Sequence, residues 1–141
     1  MLPLRLLRKL QMRLIHLIWG ILVLIAFAAS GQAMLRHVPP MRLLSDDVRL
    51  MYRSRHIYLF GSGIANVLLG LYVAPCRALW RRILQYVGSV LLLAAPVLLG
   101  LAFLAETSIG IDRTWRSGNG LKMMLAGTIL HFVAAVRRED A

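Results

Sequence analysis

The hydrophobic pattern is organised by residues 83–105, ILQYVGSVLLLAAPVLLGLAFLA, a run without a charged side chain between Arg81-Arg82 and Glu106. As a helix it would extend about 34 Å at ~1.5 Å per residue, enough to cross a hydrocarbon core of roughly 30 Å. A backbone in lipid must satisfy its own hydrogen bonds, so the segment is predicted helical. Three further spans are read against that ruler. Residues 14–35 carry no formal charge when His16 is neutral. Residues 56–73, HIYLFGSGIANVLLGLYV, form the second span and end at Ala74-Pro75. The fourth, 117–136, is the weakest: only 123–136 is free of charge, about 21 Å of helix. It crosses if Lys122 and Arg137 snorkel to the interfaces.

The connections follow from breakers and caps. Arg5, Arg8, Lys9 and Arg13 fall near one helical face with Leu6, Leu7, Leu10 and Leu14 opposite, which predicts a short amphipathic helix on an anionic leaflet. Pro39-Pro40 stops the first span. Ser45-Asp46-Asp47 reads as an N-cap followed by acids in a first turn, so a helix is expected to start there and run into the second span. A tight basic connection over 77–82, with Trp80 at headgroup level, makes the second and third spans antiparallel neighbours. The small residues of AFAASGQA would suit signal-peptide cleavage, but residues 14–35 exceed the usual apolar core of roughly 7–15 residues. A retained span is expected.

Composition agrees: 59% of residues are hydrophobic, against roughly 45–50% in soluble domains, and mean hydropathy is +0.69. The net charge of +11 comes from arginines at the edges of apolar runs, which matches anionic headgroups better than nucleic acid. Counting basic residues with both termini cytoplasmic puts nine inside and eight outside. The basic N-terminus and the Arg77–Arg82 turn favour that orientation. The single cysteine, Cys76, excludes dithiol redox chemistry within the chain and is expected to have no chemical role.

Candidate chemistry is sparse. Gly63, Asn66 and Gly70 share a face of the second span, with Gly61 and Ala65 as a small pair beside it. Gly88, Ser89, Ala95 and Gly100 lie on the third, and Gly120, Gly127, His131 and Ala134 on the fourth; these small-residue stripes are expected to face one another. Asn66, near mid-membrane, must turn inward to find a partner. Pro96 frees the carbonyl of Leu92, and Thr128 lies at a similar level, so either could serve Asn66. His16 and His131 fall at matching depth on the first and last spans, as axial ligands of a b-type haem would. The plainer reading gives His16 a hydrogen bond at the interface, His131 a bond to a neighbouring helix, and leaves His37 and His56 solvated. Glu106, Asp112, Arg113 and Arg116 read as a solvated charged loop. No acid lies within the spans, unlike the small four-helix multidrug exporters, and no hydrolase, zinc or phosphate-loop motif is present.

MYRSRHIYLF followed by GSGIANVLLGLY, and then the Pro-containing third span, resembles small four-helix inner-membrane proteins common in bacteria. The resemblance covers about two thirds of the chain and implies a fold and a location, not an activity. The expectation is an all-α, antiparallel four-helix transmembrane bundle with a short N-terminal interfacial helix, forming one domain over 1–141. The expected role is non-enzymatic: a structural or accessory protein that needs no cofactor and packs against a larger membrane partner or a second copy. Haem-based electron transfer and a small-solute channel or carrier centred on Asn66 are the alternatives.

Overall fold

A computed structural model describes residues 4–74, 76, 78–107 and 114–136. Among them the chain is all-α and without strands: α1 (Leu4–Leu35), a 3-10 turn (Met41–Leu43), α2 (Asp46–Tyr72), α3 (Leu79–Ala105) and α4 (Trp115–Ala135). Two stretches, Leu10–Leu35 and Leu79–Ala105, are long and apolar enough to cross a membrane. In α2 the charged Asp46, Asp47 and Arg53 are exposed, whereas Arg55, Ser62 and Asn66 are buried.

The boundaries differ from expectation at two places, and the start of α2 is as expected. Among the described residues no separate interfacial helix precedes residues 14–35: α1 is one helix of 32 residues, about 48 Å long. No Pro or Gly interrupts it before Gly20. Arg81, Arg82 and Trp80 belong to the first turns of α3 rather than to a connection. Ser45 is the N-cap of α2 but makes no side-chain cap bond, so Asp46 and Asp47 supply the charge at that end. The side chains of Arg5, Arg8 and Lys9, together with Arg77, Asp112, Arg113, Arg137 and Arg138, lie outside the described residues.

Packing is dominated by two pairs, α1 with α2 and α3 with α4, joined mainly through α2 and α3. Small residues set both close approaches. A Cβ on Gly20 would meet the Val67 backbone at 2.6 Å, one on Gly70 the backbone of Leu17 at 2.6 Å, and one on Gly63 the side chain of Leu24 at 2.9 Å. Between α3 and α4 the fit is mutual: a Cβ on Gly88 would lie 2.9 Å from Gly127 O, and one on Gly127 would lie 2.8 Å from Gly88 O. The glycines of the α2 stripe therefore face α1, not α3 and α4 as expected, while Asn66 between them reaches α3. The reason is that Gly20, a single small residue on α1, opens a seat that pattern reading passed over. Near the other end of the pairs, Val23, Leu59, Leu99 and Phe103 form an apolar cluster.

Several helix ends are completed by a neighbouring helix. Neither α2 nor α4 has a basic residue in its last turn. Arg13 of α1 donates to Gly70 O at 3.1 Å and also to Leu71 O, at the end of α2. Arg81 of α3 donates to Val136 O at 2.9 Å, at the end of α4. A cation on these last carbonyls satisfies acceptors that have no partner within the helix.

Candidate functional site

Two buried polar clusters occupy different levels of the molecule. The first is neutral. Pro96 lies inside α3 and has no N–H to give the carbonyl of Leu92. Asn66 Nδ2 donates to that carbonyl at 2.9 Å and to Ser62 O at 2.9 Å. Its Oδ1 lies 2.7 Å from His16 Nδ1, which ties α1, α2 and α3 together through one amide. Asn66 and His16 are both fully buried. Thr128 is not part of this cluster: it is exposed, and its hydroxyl donates to Met124 O of its own helix at 2.8 Å.

The orientation of Asn66 fixes the tautomer of His16. Both neighbours of Nδ2 are carbonyl oxygens, so the amide nitrogen must face them and Oδ1 must face the imidazole. An amide oxygen only accepts, so His16 Nδ1 carries the hydrogen. In the neutral ring Nε2 then holds a bare lone pair. Among the described residues Nε2 is the one buried side-chain nitrogen or oxygen without a hydrogen-bond partner. Leaving such an atom unserved costs about 1–3 kcal/mol.

His131 of α4 completes the cluster. Its ring centroid lies 6.2 Å from that of His16, with the planes at 85°. Nε2 is 3.2 Å from Ser89 Oγ on α3, and Cδ2 would lie 2.9 Å from a Cβ on Gly88. That edge of the ring faces α3, and Nδ1 is on the opposite edge. The fold thus brings the two histidines of the first and last helices together. His37 and His56 are elsewhere, and neither is simply solvated. His37 lies 3.0 Å from Tyr52 Oη. His56 stacks on Phe27 and lies 2.8 Å from Ser30 Oγ.

The second cluster is charged and corrects the expectation of a solvated loop at Glu106. Glu106, just past α3, is only 1% exposed. Its Oε2 accepts from Arg55 Nη2 at 3.1 Å and Nε at 3.3 Å. Its Oε1 accepts from the backbone N–H of Arg116 at 2.6 Å and of Ser117 at 3.1 Å. Ser117 Oγ also accepts from Arg55 Nη2 at 3.1 Å. The carboxylate therefore caps α4, whose own N-cap residue, Thr114, makes no side-chain cap bond. Burial alone would raise the Glu106 pKa; the hydrogen bonds from Ser117, Arg55 and Arg116 outweigh it and hold the group below its ordinary value. Spacing alone gave no sign of this pairing, because Arg55 and Glu106 belong to different helices.

A groove of about 1120 Å³ runs between α2, α3 and α4, lined by Leu69, Tyr72, Arg81, Gln85, His131 and Phe132 among others. Cys76 borders it and donates Sγ–H to Ala134 O at 3.2 Å. Asn66 does not line it. No group of three or more His, Cys, Asp or Glu placed to hold a metal occurs among the described residues. No family model, curated protein or solved structure matches the chain.

Proposed function

We propose that this chain is an integral protein of a bacterial inner membrane, an antiparallel bundle of four transmembrane helices with both termini cytoplasmic. Its role is structural or accessory rather than enzymatic, and it packs against a larger membrane partner or a second copy of itself. One observation carries the membrane reading: large apolar side chains cover the exterior while a set of polar side chains is buried. Ile18, Ile25, Val90, Leu104, Leu125 and Phe132 are all at least 50% exposed, whereas His16, Ser62, Asn66, Gln85, Ser89 and His131 are buried. In water such a surface would be costly, and in lipid it is the solvated face. The pairs Gly70 with Leu17, Gly63 with Leu24 and Gly31 with His56 run in opposite sequence directions, which supports an antiparallel α1–α2 pair. The inward polar residues of α2 support counting it as a span despite its lower hydropathy.

The non-enzymatic part of the reading rests on how the polar groups are used. Glu106 and Arg55 saturate one another and a helix end, and Asn66 is committed to three partners. A carrier centred on Asn66 has less support, since that side chain is sealed from the groove. The test is fractionation with alkaline carbonate, joined to cysteine labelling from either side of sealed vesicles. The chain should stay in the membrane pellet, and a cysteine at Leu43 should label from the side opposite native Cys76. Release into the supernatant, or labelling from one side only, would reject the reading. Cross-linking in native membranes should recover a second copy or one other membrane protein in fixed ratio.

A further inference from the structure

We infer that His16 and His131 form a two-imidazole site for one transition-metal ion, either bare or carried as haem iron. The site goes beyond a structural or accessory role. Its first support is the preparation of His16. Ligating histidines donate one ring N–H to an oxygen, which fixes the tautomer and raises the basicity of the other nitrogen. His16 is in that state: Nδ1–H is held by Asn66 Oδ1 at 2.7 Å, and Asn66 is itself locked by two carbonyls. The nitrogen left for a metal, Nε2, is buried and has no partner.

The second support is geometric. Imidazole nitrogens bind borderline metals at about 2.0–2.1 Å, so the ring centroids of two histidines on one ion lie at most about 6.4 Å apart. The observed 6.2 Å is within that reach. His131 has its Nε2 edge against Ser89 and Gly88, which leaves Nδ1 as the nitrogen for the ion. The two ligands come from α1 and α4, which share no extended packing surface. His131 also borders the open groove, which gives a lateral way in.

The donor set narrows the occupant. Two neutral imidazoles suit iron, copper, nickel or zinc and are poor ligands for magnesium or calcium. Among the described residues no carboxylate or thiolate stands beside them to offset the charge of a bare divalent ion. A porphyrin supplies two negative charges of its own, so haem iron is the form that balances.

The experiment uses the full chain in detergent micelles, titrated in separate arms with hemin and with Cu(II). In the hemin arm the expected result is one haem per chain with the Soret band of a low-spin, six-coordinate, bis-imidazole iron. A bare-ion site instead gives one Cu(II) per chain with paramagnetic resonance splitting from two nitrogens. His16→Ala and His131→Ala should each weaken binding at least 100-fold, Asn66→Leu by about 10–100-fold, and His37→Ala not at all. Should the alanine variants lose helical circular dichroism, the two-nitrogen signature of the wild type decides. A folded wild type that takes up neither probe overturns the inference, as does binding that survives removal of both histidines.

Discussion

The two buried polar clusters differ in how completely they are served. Around Glu106 every group has a complementary partner: guanidinium, carboxylate, hydroxyl and two helix N–H groups form a closed set. Around His16 the set is closed on one side by Asn66 and left open at Nε2. A closed set of charges holds helices together and has nothing left with which to bind. An open lone pair on a buried atom costs stability and calls for a partner. The first cluster is therefore where damage should be largest, and the second is where a ligand should be sought.

The comparison breaks most severely at Glu106. Glu106→Ala strands Arg55, 6% exposed, without its counter-charge and uncaps α4. The expected loss is about 3–5 kcal/mol, read as thermal unfolding in micelles. Replacing both Arg55 and Glu106 by Leu should be milder than Glu106→Ala alone, because no buried charge is then orphaned.

Next come the helix seats. Gly127→Ala places a Cβ 2.8 Å from the backbone oxygen of Gly88, which cannot swing aside, so about 1–3 kcal/mol should be lost. Gly61→Ala, with nothing within 4 Å, should be neutral or slightly stabilising in the same assay. In the neutral cluster Asn66→Leu leaves the Leu92 carbonyl and the His16 N–H without partners, and about 1–2 kcal/mol should follow.

Acid sharpens the contrast without a mutation. The carboxyl of Glu106 is depressed in the fold, so the folded state binds fewer protons than the unfolded chain. Its stabilisation is fully present above the ordinary value of 4.5 and is lost as pH falls through the lower folded value. A pH series of unfolding temperatures should therefore decline below that point in the wild type and flatten in Glu106→Gln. The smallest effect belongs to Thr128→Val, an exposed side chain bonded only to its own helix, which should shift stability by less than about 0.5 kcal/mol.

Local rules made part of this legible. The apolar runs announced α1 and α3, and Ser45-Asp46-Asp47 announced the start of α2. Pro96 implied a free carbonyl at Leu92 before any contact was known, since proline lacks the N–H by its own chemistry. The Arg55–Glu106 pair was not legible: the two residues are 51 positions apart, and an acid after an apolar run reads as solvated. Nor was the seat at Gly20, since one glycine in a helix has no pattern of its own.

By itself the sequence determined what is local: helices where long apolar runs free of charge leave the backbone no better partner than itself, and breaks at prolines. Only the tertiary structure decided which helix answers which. Arg13 completes α2, Arg81 and Glu106 complete α4, and Asn66 holds His16 in one tautomer close to His131. The physical reason is that unmet donors and acceptors at helix ends and breaks are fixed by the chain. Their partners depend on packing depth and rotation, which are set between helices by a few glycines rather than along any one of them.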